Sequence, residues 1–238
     1  MKLVGVAIAA LVAAPAFVAA ASAQPASHNA AVRSLYLRDC GTCHGSNGEG
    51  TNRGPSLVGV GTAWTDYELS TGRMPLADPD EKTIRHKPAY SPTVIRQLVD
   101  YVAAFGPGGV PVPNLQLRGA DIARGGEVYR LQCAACHSWS GTGGALLHRE
   151  APSVLDATPA QVAEAVRVGP DTMPAFGTAA VSDPDLNDLV AYVRTLARSY
   201  NRGGDPLWHV GPLMEGAVGW VVGIGLLLLA IRWIGDPR

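Results

Sequence analysis

Two short cysteine–histidine motifs carry the most specific chemistry in this 238-residue chain. One is Cys40-Gly-Thr-Cys43-His44, and the other, about 93 residues later, is Cys133-Ala-Ala-Cys136-His137. Two thiols at this spacing can each bond one vinyl group of a haem, and the histidine that follows can bind the iron. The two motifs use all four cysteines of the chain. The pattern therefore predicts two covalently bound haem c groups, each with its iron.

One methionine follows each motif and directly precedes a proline: Met74-Pro75 after the first motif and Met173-Pro174 after the second. A thioether is a weak, soft ligand, and a His/Met pair of axial ligands raises the reduction potential of a haem. The position of these methionines in the two repeats predicts that each is the sixth ligand of its iron. The alternative, a methionine that only fills a gap in the core, stays open at this point.

Other chemistries are possible for two cysteines and a histidine. A redox-active dithiol or a structural disulfide does not require the histidine, and a zinc site built from both cysteine pairs does not explain the methionines. Haem attachment is therefore the preferred interpretation, with no catalytic residue predicted. The expected haem-binding residues are Cys40, Cys43, His44, Met74, Cys133, Cys136, His137 and Met173, and the iron ligands among them are His44, Met74, His137 and Met173.

The residues before each motif have the spacing of a helix that leads into it. In both halves a small or apolar residue, a tyrosine and the first cysteine recur every four positions, on one helical face. Each tyrosine is expected to pack this helix against the last helix of its half, near Tyr101 or Tyr192. A glycine predicts a close helix crossing in the second half, and a valine predicts a looser one in the first. The recurring residues are Val32, Tyr36 and Cys40, and then Gly125, Tyr129 and Cys133.

Three further features concern the surroundings of the predicted haems. Pro55 and Pro152 follow the motifs, and their carbonyl groups are natural acceptors for the second ring N–H of each ligating histidine. Arg53, Trp64 and Arg73 lie where they could reach haem propionates. The more ordinary expectation for these three is solvated arginines and a packed tryptophan.

The chain divides into five segments by composition. Residues 1–23 have a positive start, an apolar alanine-rich run and Ala21-Ser22-Ala23 before Gln24, which is typical of a cleaved export signal. An uncleaved N-terminal membrane helix is the open alternative. The predicted segments are 1–23 export signal, 24–106 first domain, 107–114 linker rich in Gly, Pro and Val, 115–205 second domain, and 206–238 C-terminal anchor.

The C-terminal segment has the length of a membrane span. From Leu213 to Ile234 it would extend about 33 Å as a helix, which is enough to cross the hydrocarbon core. Arg232 and Arg238 lie at its far end, as expected for a cytoplasmic side. The alternative is a buried helix of a soluble domain. The fold class expected for the whole chain is all-α, with two tandem domains and one C-terminal transmembrane helix.

Each half resembles a class I cytochrome c domain, with a first helix into C-x-x-C-H, a proline loop, a Met-Pro ligand and a terminal helix. The whole chain resembles the dihaem cytochrome c subunit of the actinobacterial cytochrome bcc complex. The strings that carry this likeness are Gly54-Pro-Ser-Leu-Val-Gly-Val-Gly61, Ser70-Thr-Gly-Arg-Met-Pro75, Gly141-Thr-Gly-Gly-Ala145, Gly211-Pro-Leu-Met-Glu-Gly216 and Trp233-Ile-Gly235.

The resemblance implies a place in a respiratory chain. The complex is a menaquinol:cytochrome c reductase with a cytochrome b subunit and a Rieske iron–sulfur subunit, and it forms a supercomplex with a cytochrome aa-type oxidase. The expected role is to pass electrons from the Rieske centre to that oxidase, without bond-making chemistry. The expected location is the plasma membrane, with the haem domains on the outer face and the C-terminus in the cytoplasm.

Other functions remain possible from the sequence. The formal net charge of −1 gives no indication of a nucleic-acid partner. A cytochrome subunit of a periplasmic dehydrogenase, or a free-standing dihaem carrier, would have the same motifs. A dihaem peroxidase needs one haem with a displaceable ligand, and a candidate methionine for each iron argues against it.

Overall fold

The computed structural model of the chain describes residues 26–146, 149–198 and 212–235. The predicted export segment, 1–23, lies outside these residues. The described part is mostly helical, with nine helices and one short pair of strands. In chain order the elements are α1 Ala26–Asp39, α2 Gly41–His44, α3 Thr62–Ser70, α4 Pro92–Ala103, α5 Ile122–Gln132, α6 Ala134–His137, β1 Gly144–Leu146, β2 Arg149–Ala151, α7 Pro159–Val168, α8 Asp183–Ala197 and α9 Pro212–Gly235.

The helices from α1 to α4 form a first unit, in which α1 packs against α4. Tyr36 is fully buried at the centre of this contact, and its ring lies 5.4 Å from that of Tyr101 and 5.1 Å from that of Phe105. The predicted role of Tyr36 in packing the first helix on the last is confirmed. The rest of the core is apolar, and its buried members besides Tyr36 are Val32, Leu69, Ile95, Leu98, Val99 and Val102.

The helices from α5 to α8 form a second unit on the same plan. Tyr129 takes the place of Tyr36, with its ring 5.5 Å from that of Tyr192. Helices α5 and α8 pack over a longer stretch than α1 and α4. Gly125 explains the difference, because a Cβ atom at this position would overlap the carbonyl oxygen of Asp188. The predicted close crossing at Gly125, and the looser one beside Val32, are therefore confirmed.

Side-chain caps fix the starts of three helices. The hydroxyl oxygens of Ser91, Thr158 and Ser182 accept hydrogen bonds from backbone N–H groups in the first turns of α4, α7 and α8. A proline stands in the first turn of each, where its missing N–H costs no hydrogen bond.

The antiparallel strands β1 and β2 are not predicted from the sequence. Gly144 pairs with Ala151 and Leu146 with Arg149, directly after the second motif. The sequence indicates only a glycine-rich loop here, because three-residue strands are too short to show an alternating pattern. The first unit has a single bridge, between Thr51 and Gly54, at the corresponding place.

The two units meet where α3 of the first packs on α7 of the second. The side-chain amide of Gln161 donates a hydrogen bond of 2.9 Å to the Ser70 carbonyl, and Arg85 donates one of 2.9 Å to the Asp156 carbonyl. The Thr83 hydroxyl also donates to the Asp171 carboxylate at 2.8 Å. These contacts hold the two units in one arrangement.

The α3–α7 contact also encloses a carboxyl group. Glu164 on α7 is 0 % exposed, and its carboxyl group faces the Asp66 carboxylate of α3. Burial, followed by the nearby Asp66 carboxylate on α3, raises the pKa of Glu164 to about 9. The contact between the units is therefore most stable when Glu164 carries a proton.

Helix α9 stands apart from both units. By length and composition, Gly216–Gly235 is the one helix of the described part that is long and apolar enough to cross a membrane. None of this segment is buried against the rest of the protein. This exposure fits a membrane span better than a buried helix of a soluble domain.

The close crossing at Gly125 gives a first prediction. Gly125→Ala should destabilise the second unit by about 1–3 kcal/mol, because the added methyl group forces α5 away from α8. Gly177→Ala is the matched control, since a Cβ atom there would meet nothing within 4 Å. Thermal unfolding of the purified protein measures both variants, and equal midpoints for them would contradict the prediction.

The buried Glu164 gives a second prediction, on pH. The unfolded chain releases this proton near the ordinary value of 4.5 and the folded protein near 9, so the folded state binds more protons between these values. Stability should therefore fall as pH rises from about 4.5 to about 9. Glu164→Gln, which stays neutral, should flatten this dependence and raise the midpoint of thermal unfolding at pH 8.

The exposed Asp100 on α4 offers the matched control for this pH effect. Asp100→Asn also removes one carboxylate, but from a solvated position, and its unfolding midpoints should follow those of the unchanged protein. If Glu164→Gln lost stability with pH as steeply as the unchanged protein, the assignment of the pH effect to Glu164 would be wrong.

Candidate functional site

The structure brings the predicted site residues together in two separate pockets. The first pocket contains the first motif and its methionine: Cys40, Cys43, His44 and Met74 all line it. The second pocket contains the second motif and its methionine in the same way: Cys133, Cys136, His137 and Met173. Each pocket thus has two cysteines and a histidine on one wall and a methionine among its other lining residues.

The fold places each motif on a short helix that follows a longer one. Helix α1 ends at Asp39, and α2 then carries Cys43 and His44 into the first pocket. Helix α5 ends at Gln132, and α6 carries Cys136 and His137 into the second. The motif therefore turns at its first cysteine, which keeps both thiols and the histidine on the pocket side.

Each motif histidine is oriented by a proline carbonyl. His44 Nδ1 lies 2.8 Å from the carbonyl oxygen of Pro55, and His137 Nδ1 lies 2.8 Å from that of Pro152. Because a carbonyl only accepts, Nδ1 carries the hydrogen and Nε2 is left with a lone pair. The predicted role of the two prolines is confirmed. An imidazole held in this way is ready to bind a metal through Nε2.

Glycines let the loops return to these histidines. Gly50 and Gly143 have φ values of +82° and +85°, which side chains rarely allow. Their N–H groups donate to the carbonyls of His44 and His137 at 2.8 and 3.0 Å. A Cβ atom on Gly50 would lie 2.7 Å from the Ser56 nitrogen. The loop geometry that brings the proline carbonyl to the histidine therefore depends on glycine.

The buried tyrosines connect the long helices to the same loops. The Tyr36 hydroxyl donates a hydrogen bond of 2.9 Å to the Gly45 carbonyl, and the Tyr129 hydroxyl donates one of 2.8 Å to the Ser138 carbonyl. In both units the acceptor is the residue directly after the motif histidine. The tyrosines that pack the cores thus also fix the position at which each motif ends.

The cysteines are not arranged for zinc or for a disulfide. All four are free, and the two pairs line different pockets. Within the described residues, no group of three or more Cys, His, Asp or Glu side chains could hold a metal ion. Burial raises the pKa of the Cys40 and Cys133 thiols to about 11. Two thiols beside an oriented histidine fit haem attachment.

Helix α3 lies between the two pockets and contributes to both. Trp64, Glu68 and Leu69 line the first pocket, and Tyr67 lines the second. Arg73, three residues after the helix, also lines the second pocket. The two pockets are therefore neighbours that share α3 as a wall. Asp171 of the second unit lines both.

The charged residues near this wall differ in burial. Burial raises the pKa of Glu68 to about 7, although the Arg73 guanidinium nearby opposes that rise. Arg53 is exposed, as expected for a solvated arginine, and Trp64 is half-buried on the wall of the first pocket. Arg73 is only 6 % exposed, so the expectation of a solvated side chain is wrong for this residue.

The residues around each pocket fit a haem. The walls are apolar, with Leu98 and Val102 in the first pocket and Leu189 and Val193 in the second. The thiols and the histidine lie at one side, at the spacing that covalent attachment requires. Buried guanidinium N–H groups of Arg73 have no protein partner among the described residues, which suits a ligand that carries carboxylates.

Known protein families match each unit separately. The family model described as "Cytochrome c" matches residues 30–104, and the one described as "Cytochrome C oxidase, cbb3-type, subunit III" matches residues 120–193. Each match contains one complete motif and the methionine that follows it.

Curated relatives match both units together. Three of them carry the name "Cytochrome bc1 complex cytochrome c subunit". The protein from Corynebacterium diphtheriae is 37 % identical over 222 residues, which cover 86 % of this chain and 79 % of that protein. Those from Mycobacterium tuberculosis and Mycobacterium leprae are 36 % and 35 % identical over 212 residues, which cover 85 % of this chain and 76 % and 73 % of theirs.

Proposed function

Because the chain belongs to the family of cytochrome bc1 complex cytochrome c subunits, we propose that it carries electrons through two haems from a Rieske centre to a terminal oxidase. Its two cytochrome c domains with covalent haem c and its electron-transfer role in the complex follow from the family. The oxidase as acceptor, menaquinol as the source of electrons and the cytochrome b and Rieske subunits as partners are the proposed part.

One observation carries the proposal: the two pockets share helix α3 as their wall. Haem, when bound, would supply a one-electron ferric–ferrous couple, and the residues of the two neighbouring pockets would each hold one such group. The α3–α7 contact and its hydrogen bonds fix the two pockets against each other. A fixed pair of neighbouring redox sites suits a path for electrons through the protein.

We assign the axial ligands from the residues that line each pocket. His44 and Met74 are proposed for the first iron, and His137 and Met173 for the second. The proline carbonyls leave each histidine Nε2 free to bind. A methionine for each iron raises the potential and leaves no open position. This assignment favours electron transfer over a dihaem peroxidase.

Helix α9 is the proposed membrane anchor. Its exposed apolar surface, over a length that crosses a bilayer, supports a transmembrane position. Arg232 in its last turn supports a cytoplasmic C-terminus, and the haem domains would then lie on the outer face of the plasma membrane. The domain limits 24–106 and 115–205, with the linker 107–114 between them, are part of the same proposal.

The ligand assignment predicts a change in reduction potential. Met74→Leu should lower the midpoint of one haem, and Met173→Leu that of the other, by on the order of 0.1 V within the roughly 0.8 V that axial ligands control. Met214→Leu is the matched control, since Met214 lies on α9 and lines neither pocket. Spectroelectrochemical titration measures all three, and an unchanged midpoint in a pocket variant would refute that ligand.

The proposed partners predict what purifies with this protein. Affinity purification of the full-length chain from membranes in mild detergent should recover b-type haem, a Rieske iron–sulfur signal and an aa-type oxidase spectrum. A chain truncated before Pro212 should lose the membrane fraction and serves as the control. Recovery of a dehydrogenase, or of this protein alone, would favour the other cytochrome functions.

A further inference from the structure

Arg73 is the buried cation that the proposed function leaves unexplained. It belongs to the first unit and stands next to the proposed ligand Met74, yet it lines the second pocket and not the first. Its guanidinium carbon lies 4.9 Å from the centre of the Tyr67 ring, which holds the planar group in a cation–π contact. The side chain is therefore fixed at the boundary and aimed into the pocket of the other unit.

Two donor atoms of the Arg73 guanidinium have no partner among the described residues. Its Nε and Nη1 atoms are buried without a hydrogen bond, and the side chain is only 6 % exposed. A buried guanidinium without an anion is costly, so a group that carries negative charge is expected beside it. The Glu68 carboxyl is near enough to interact with the Arg73 charge, but it lines the first pocket and forms no ion pair with Arg73 within 4 Å.

The other arginines near the pockets are placed differently. Arg85 also lines the second pocket, but its Nη2 donates to the Asp156 carbonyl at 2.9 Å and to the Gln161 side chain at 3.1 Å. Arg53 lines the first pocket and is exposed. Arg73 is thus the arginine on either wall whose donors are both buried and unpartnered among the described residues.

We propose that the Arg73 guanidinium, supplied by the first domain, binds a propionate of the haem held in the second domain. The inference rests on the proposed function only in that the second pocket holds a haem with Met173 as ligand. Haem propionates are carboxylates, and a guanidinium binds carboxylates through two parallel N–H donors. A positive charge beside a haem stabilises the reduced form, because reduction adds an electron.

The test must assign any shift to one haem. Met173→His marks the second haem, since exchange of methionine for histidine lowers its potential and separates it from the first. In this background Arg73→Gln should lower the midpoint of the marked haem and leave the other in place. At a fixed potential the ferrous-to-ferric ratio of the marked haem should fall about tenfold. For one electron this corresponds to a midpoint shift of about 59 mV. With Arg73→Lys, the midpoint of the marked haem should lie between the values for Arg73 and for Arg73→Gln, because lysine keeps the charge but not the paired donors.

Arg53→Gln is the matched control, because it removes an arginine from the wall of the other pocket. It should leave the marked haem unchanged. Haem content of two per chain and an intact methionine–iron charge-transfer band of the first haem check that the variants still fold and keep Met74 in place.

Each outcome decides the proposal. A lower midpoint of the marked haem with Arg73→Gln supports the proposal. A midpoint shift of the unmarked haem, or no shift with full haem content, overturns it and leaves the proposed function intact. If Met173→His does not separate the two haems, the methionine assignment fails and this inference falls with it. If Arg73→Gln does not retain haem, Arg73→Lys decides: an unchanged midpoint of the marked haem overturns the proposal, and a lowered one supports it.

Discussion

The hydrogen bond between each motif histidine and a prolyl carbonyl is the constraint on which both domains depend. A ring that turned freely would present either nitrogen to the pocket, whereas the 2.8 Å contact to Pro55 or Pro152 fixes one. To make that contact, the chain after the motif must fold back, and glycines at positive φ allow it to do so. The buried tyrosines then tie the returning loop to the helix that leads into the motif. Haem ligation, loop conformation and core packing are in this way parts of a single arrangement.

Much of this arrangement follows from the sequence because it is local. The spacing of the motifs, the caps at Ser91, Thr158 and Ser182, and the tyrosines four residues before the first cysteines act within one helix or one loop. The crossing at Gly125 was predictable for a related reason, since only a residue without a side chain permits such an approach. These features are set by neighbours along the chain or by residue size alone.

The contacts between the domains did not follow from the sequence. From the sequence alone Glu164 and Arg73 would be expected at the surface, because both side chains are charged. They are buried because α3 and α7 pack on each other, and no local sequence pattern predicts that contact. The β1–β2 pair was missed for the same kind of reason, since its strands are too short to show a period. Long-range contacts between short elements are the part of this fold that the sequence alone does not predict.

The α3–α7 contact joins equivalent helices of the two domains, but the charged residues beside it differ between the domains. Helices α3 and α7 occupy the same place in their domains, and each leads to a Met-Pro pair. Arg73 precedes the first methionine, but Thr172 precedes the second, so only one pocket gains a buried guanidinium from across the boundary. Asp171, which lines both pockets, is exposed, and water screens its charge far more than that of Arg73. If Arg73 binds a propionate of the second haem, its buried positive charge outweighs the screened charge of Asp171 and favours reduction of that haem. The same charge would have the opposite effect on oxidation, so the second haem would be the better electron acceptor of the pair.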